Sequence, residues 1–353
     1  MKELKIGNLT AKIPLIQGGM GVGISLGNLA GSVAKAGGIG IISTAQIGFR
    51  DKDFKDNPLK ANLKAIVSEM KKARCISKGG IIGYNIMVAT KNYKDQVQAA
   101  VKAGADVIIS GAGLPVDLPE YIGESKVKIA PIVSSDKSAK VLLKIWDRRF
   151  KRTADFVVIE GPKAGGHLGF IKEQLDEYKQ LPSKFGEEIK RIIETVKDYG
   201  KKYNINIPIV VAGGITTRQD VQEAFDMGAD GVQVATRFIT TKECDAADGY
   251  KEAFINAKED DIVIVDSPVG MKGRAILNSF MSKVKAGEKL PPKQCFGCLK
   301  KCNPAEIPYC ITERLVLAAQ GNADEGLLFC GANAWLENKI TTVNDVIRDL
   351  FGE

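Results

Sequence analysis

A single histidine, His167, stands in this chain of 353 residues. It is preceded by Ala164-Gly165-Gly166 and followed by Leu168-Gly169, in a run that opens at Glu160 after the apolar stretch Phe156-Val157-Val158-Ile159. Glycines at the end of a strand let backbone approach a ligand, because no Cβ stands in the way. An imidazole at such a place has an unperturbed pKa near neutrality, so it can take or give a proton. The competing reading is a surface loop whose histidine only hydrogen-bonds to a neighbour.

Three further groups have chemistry-bearing spacing. Gln17-Gly18-Gly19-Met20-Gly21-Val22-Gly23 contains overlapping Gly-x-Gly pairs but lacks the full Gly-x-Gly-x-x-Gly spacing. The acid that a dinucleotide fold wants after the second strand is replaced by Ser43-Thr44-Ala45-Gln46. Gly19, Met20 and Gly21 therefore read as backbone lying against a flat ligand, or as a tight turn closing the fold. Ala212-Gly213-Gly214-Ile215-Thr216 and Gln233-Val234-Ala235-Thr236-Arg237 suit a phosphate held by backbone N–H groups beside a helix start that Thr216 or Thr217 would cap. A capped turn without ligand is the alternative. Asn85, inside Gly83-Tyr84-Asn85-Ile86-Met87, and Ser110, before Gly111, are polar groups in apolar runs. Each needs a partner, and the edge of a heterocycle is one candidate.

Seven cysteines are present, five of them late in the chain. An odd count without a secretion signal argues against a disulfide framework. Cys295, Cys298, Cys302 and Cys310 follow a Cys-x₂-Cys-x₃-Cys-x₇-Cys pattern that suits zinc or an iron–sulfur cluster, with buried free thiols as the alternative. Cys75 and Cys244 read as packing residues.

The elements that must position these residues follow a β/α alternation. Near-continuous apolar runs at 14–17, 38–42, 81–87, 106–110, 128–133, 155–159, 208–212 and 231–234 suit parallel strands buried on both faces. Helical patterns fall between them, several ending in a glycine; the weakest, at 115–122, is interrupted by two prolines. Eight such units predict an α/β fold, a (β/α)₈ TIM barrel, with an open doubly wound sheet as competitor. Residues 170–183 read as a polar loop inserted after strand six, a candidate flap over the site. The division expected is a barrel at 1–260 and a Cys-rich capping extension at 261–353, ending in an amphipathic helix at 343–351. Composition is ordinary for a soluble globular chain, 44% hydrophobic and 26% charged. The formal charge of +8 comes from scattered lysines without aromatic interleaving, which speaks against nucleic acid. No apolar run approaches the roughly 20 residues of a membrane span, and the N-terminus lacks an apolar signal core, so a cytoplasmic protein is expected.

Taken together, Pro14–Gly21, Gly38-Ile39-Gly40, Tyr84-Asn85-Ile86, Ala164–Gly169, Ala212–Ile215 and Gly231–Phe238 run in an order that resembles the nitronate monooxygenase family (2-nitropropane dioxygenases). The chain is also similar to the related flavin-dependent enoyl-acyl-carrier-protein reductases. The resemblance implies an FMN-binding barrel. In it, Gly19, Met20 and Gly21 pass the isoalloxazine ring, Asn85 meets its polar edge, and Ala164, Gly165 and Gly166 line the flavin. Ala212, Gly213, Gly214, Gln233, Ala235 and Thr236 surround ribityl and phosphate, and Ser110 belongs to the same set. His167 matches the family's catalytic histidine. Ala235 departs from the glycine of many relatives, and the basic residue that some oxygenases present from strand five has no counterpart at Ile132 or Val133. The activity implied is oxidation of a small-molecule alkyl nitronate by O₂ to a carbonyl compound and nitrite. The alternatives are an NAD(P)H-dependent enoyl reductase with an acyl carrier protein as partner, a flavin NAD(P)H oxidoreductase, or a non-enzymatic flavin-binding sensor. NAD(P)H is the candidate electron donor, and a homodimer is compatible with the chain.

Overall fold

The computed structural model describes residues 2–352. Its strands are β1 (Leu4–Ile6), β2 (Leu9–Ala11), β3 (Leu15–Gln17), β4 (Gly40–Ser43), β5 (Ile82–Met87), β6 (Val107–Gly111), β7 (Lys128–Val133), β8 (Val157–Glu160), β9 (Gly166–Leu168), β10 (Ile209–Ala212), β11 (Gly231–Val234), β12 (Ile262–Asp266) and β13 (Lys272–Ile276). Its helices are α1 (Gly27–Lys35), α2 (Pro58–Ser77), α3 (Tyr93–Lys102), α4 (Leu118–Ile122), α5 (Asp136–Phe150), α6 (Lys172–Gln180), α7 (Ser183–Tyr203), α8 (Arg218–Asp226), α9 (Asp248–Asn256), α10 (Ser279–Lys285), α11 (Ile311–Ala319) and α12 (Val343–Phe351).

Eight strands form one parallel sheet in the order β3-β11-β10-β8-β7-β6-β5-β4. The two ends meet through a parallel bridge between Ile16 and Ile39, with Gln17 N donating to Ile39 O at 2.9 Å and Ile39 N to Leu15 O at 2.8 Å. The ring closes, and the fold is the (β/α)₈ barrel that the apolar runs predict. Strand periodicity explains how both faces are filled. Ile16, Ile41, Val107, Ile109, Ala130, Phe156, Val158 and Val210 point inward and pack together. Their sequence neighbours Leu15, Ile42, Ile108, Ile129, Val157 and Val211 face the helices in a separate cluster. The β1–β2 hairpin belongs to the inner cluster through Leu4, Ile6 and Ala11, so it plugs the amino end of the ring.

Two segments depart from expectation. The polar loop expected at 170–183 is helical: α6 occupies it, and α7 begins at Ser183. Its sequence is polar apart from Leu175 and Tyr178, one turn apart on a single face. Tyr178, Phe170 and Phe185 meet edge to face with centroids 5.3–5.8 Å apart, which is enough to fix a short helix on a barrel wall. Cys75 is exposed on α2 rather than packed, whereas Cys244 is buried and its thiol points at Ile24 O.

The chain after β11 crosses the carboxyl rim. β12 and β13 form an antiparallel hairpin, and β13 pairs with β9, bringing Gly273 opposite His167 and Arg274 opposite Gly166. The final helix α12 returns to the barrel wall and packs against α8 and α1. It buries Val343, Val346, Ile347 and Leu350, and Thr342 with Asp345 forms its capping box.

Candidate active site

The carboxyl ends of the strands open into a cavity of about 420 Å³, a volume suited to a cofactor with a small substrate. The turn after β3 forms its floor. Gly18 N donates to Val234 O at 2.8 Å, tying this turn to β11. Gly19 lies so close to β5 that a methyl group there would sit 2.3 Å from Asn85 Cβ, so glycine alone fits. Asn85 and Gln233 are inward-facing by strand parity and line the cavity. Neither side-chain amide bonds to protein among the described residues, which leaves both free for a ligand edge.

At one end the turn after β10 carries Gly213 and Gly214, with φ of +97° and +89°, conformations that glycine adopts without strain. The backbone N–H groups of Gly213, Gly214, Ala235 and Thr236 have no acceptor among the described residues. Convergent free N–H groups of this kind form an anion site. Thr217 caps α8, as expected, but Asp220 already accepts from Thr216 N and Thr217 N at 2.8 and 2.7 Å. An anion here must therefore bind upstream of the helix start. Lys163 lines the cavity, its aliphatic stem lies against Gly214, and it makes no ion pair among the described residues. Arg237, by contrast, is committed to Asp349 at 2.9 Å and Glu337 at 3.5 Å. These groups fit FMN: a glycine-rich floor for a flat ring, two unengaged amides for its edge, and free N–H donors with a lysine for a phosphate.

Opposite the floor, His167 projects from β9. Its Nε2 lies 2.8 Å from Ser267 Oγ, and its ring meets Phe329 edge-on at 4.9 Å. Burial pushes its pKa down to about 4, so the ring is neutral at pH 7. Glu160, inward-facing at the end of β8, accepts from Gly169 N at 2.8 Å. Burial raises its carboxyl to about 7, against the opposing pull of that N–H and of Arg274. Arg274, from β13, donates to the carbonyls of Ala164 and Pro162, the latter at 3.0 Å.

The structure thus gathers His167, Gly19, Met20, Gly21, Asn85, Ala164, Gly165, Gly166, Ala212, Gly213, Gly214, Gln233, Ala235 and Thr236 around one cavity. Ser110 is the exception. It sits on the outward face of β6, where its hydroxyl contacts Tyr93 Oη at 2.7 Å and donates to Ile86 O. Cys295, Cys298, Cys302 and Cys310 are free thiols that range from exposed to buried. Among the described residues no group of three or more His, Cys, Asp or Glu side chains is placed to hold a metal ion. The residues that sequence reasoning missed are Glu160, Lys163, Ser267 and the run Phe329-Cys330-Gly331-Ala332-Asn333. Gly331 N donates to Thr236 Oγ1 at 3.0 Å, and Asn333 bonds to Gly214 O and Thr216 Oγ1. Glu160 shares the parity of Phe156 and Val158, a signal present in the sequence; nothing local marks the 329–333 run.

A family profile described as nitronate monooxygenase matches residues 2–353. The chain belongs to the nitronate monooxygenase family. It is thereby an enzyme, an oxidoreductase of the flavin type, as the motifs imply. A probable nitronate monooxygenase of Staphylococcus saprophyticus is 26% identical, over 97% of this chain and 98% of its own. Two solved structures share the fold. FabK from Thermotoga maritima has a TM-score of 0.71 and 24% identity, covering 97% of this chain and 92% of its own. A nitroalkane oxidase from Streptomyces ansochromogenes has a TM-score of 0.71 and 17% identity, covering 97% and 95%. No described helix is long and apolar enough to cross a membrane.

Proposed function

We propose that this chain oxidises alkyl nitronates with O₂ to a carbonyl compound and nitrite, using FMN held on the glycine floor. The reading is carried by one observation: a single neutral imidazole lines the same cavity as a glycine-rich floor whose far end presents unengaged N–H donors. Gly19, Met20 and Gly21 would lie under the ring, Asn85 and Gln233 would meet its polar edges, and Gly213, Gly214, Ala235, Thr236 and Lys163 would hold the phosphate. Bound there, FMN supplies the electron transfer between substrate and oxygen.

The protein's own part is positional and protonic. A neutral imidazole has one donor and one acceptor nitrogen. Ser267 engages Nε2, which leaves Nδ1 to hold a nitronate oxygen or to accept the proton of a nitroalkane's acidic carbon. Phe329 and Met271 line the same cavity and keep water from that pair. In this reading residues 1–260 hold the flavin and 261–353 cap the substrate side, with α12 returning to the barrel. NAD(P)H is retained as a candidate donor to the flavin.

The purified protein is expected to be yellow and to release nitrite from ethylnitronate with oxygen consumption. Anaerobic NADH oxidation on crotonyl thioester without nitrite release in the first assay would replace this reading with the reductase. His167→Ala should keep FMN and lose about 10²–10⁴ of turnover, the usual worth of a positioned acid or base; undiminished turnover would remove the role assigned to it.

A further inference from the structure

A second, smaller chamber of about 60 Å³ lies on the far side of His167, and Ala45, Met87, His167 and Leu315 wall both spaces. Its remaining apolar wall comes from Val22, Pro58, Leu59, Val269, Phe296, Leu299 and Ile311. No Asp, Glu, Lys or Arg lines it, and the one ionisable imidazole is held neutral near pH 7 by burial. The wall's polar side chains are largely occupied with protein. Asn62 bonds to Gln46 and Gly48 at 2.8 Å, Gln96 accepts from Thr44 at 2.6 Å, and Thr90 donates to Met87 O at 2.8 Å. Asn92 alone keeps an amide without a protein partner among the described residues.

The chamber has a built roof. Lys91 N donates to Cys298 O and Lys300 N to Ala89 O, both at 3.0 Å. Thr90 and Leu299 form an isolated antiparallel bridge, and Phe296 stacks on Phe54 at 5.3 Å. This fastening gives the segment with the cysteine pattern a role that needs no metal. It walls one side of a largely apolar space, free of Asp, Glu, Lys and Arg, that adjoins the main cavity at the imidazole.

We propose that this chamber is the subsite for the substrate's alkyl tail, so that the preferred substrates carry an unbranched apolar chain beyond the reacting carbon. The proposal rests on the reading of His167 as the group at the reacting carbon. A water-sized probe takes about 10–15 Å³, so the chamber holds on the order of four to six heavy atoms. A charged or branched tail is excluded, the first by desolvation and the second by shape.

The test is a homologous series. Nitronates of nitroethane through 1-nitrooctane, assayed by nitrite release, should gain about fourfold in kcat/KM per added methylene, the worth of a buried CH₂. The gain should level off near five or six carbons. In Leu299→Trp the ratio of the pentyl to the ethyl substrate should collapse toward one. Calorimetry with n-alkyl amides, acetamide to octanamide, gives a reading independent of turnover. A rising affinity without nitrite release from any nitronate keeps the chamber and removes the reaction. A flat dependence on chain length in the wild-type protein, in rate or in affinity, overturns the tail subsite.

Discussion

His167 and Glu160 face the same cavity with their titrations displaced in opposite directions, and this gives the protein an acid–base signature that can be read as stability. His167 has its folded pKa lowered to about 4 by burial. Between that value and roughly 6.5 the unfolded chain binds the extra proton, so acidification through this window destabilises the fold. Glu160 has its folded pKa raised to about 7. Between roughly 4.5 and 7 the native state binds the extra proton, so stability is lost as pH rises through that range. The two slopes partly cancel in the wild-type protein and separate in variants. Urea midpoints from pH 7 down to 4 should show His167→Asn escaping an acid-side loss of about 2 kcal/mol, water in the cavity trimming the full linkage value. Glu160→Gln should escape the loss on the alkaline side. Parallel curves for wild type and both variants would mean that neither group is held off its ordinary pKa. At this scale the sequence was most legible where glycine had no substitute, as at Gly19 and Gly213. It misled at Ser110, although strand parity with Ile108 already placed that hydroxyl on the helix side.

The element that decides the shape of the site is the β12–β13 hairpin. Its pairing with β9 spans about a hundred residues of sequence, and no local pattern encodes a partner at that distance. The barrel strands were legible because parallel neighbours buried on both faces demand continuous apolar runs. In the hairpin, β12 does read as a short apolar run at Ile262–Val265, but β13 carries Lys272 and Arg274 and gave no such signal. Through Arg274 the hairpin also grips the Pro162–Ala164 turn by two carbonyls, a forked contact that an ammonium cannot reproduce. Arg274→Lys should therefore weaken FMN retention by about tenfold, read as recovery of flavin fluorescence on dilution. Equal retention would show that the turn keeps its form unaided.

At the scale of the molecule, the last helix completes the outer layer of the barrel. α12 packs between α8 and α1 and joins the main core, so a segment expected to end an extension is part of the wall. The amphipathic pattern of 343–351 was legible as a helix; its destination was not, because periodicity gives a buried face but no address. Leu350 is fully buried, and Leu350→Ala should cost about 2–5 kcal/mol of unfolding free energy, the usual range for such a truncation. A loss below about 1 kcal/mol in urea titration would place α12 outside the cooperative unit.

The pairing of Gly273 with His167 also bears on the protein's birth. A nascent polypeptide halted at residue 260 would already own every barrel strand and the histidine itself, yet lack Ser267, Arg274 and Phe329, the groups that aim the ring and roof the site. The wall on the imidazole's side is thereby completed only when nearly the whole message has been translated, and a truncated product would leave the ribosome with its glycine turns in place but without the groups that aim the ring.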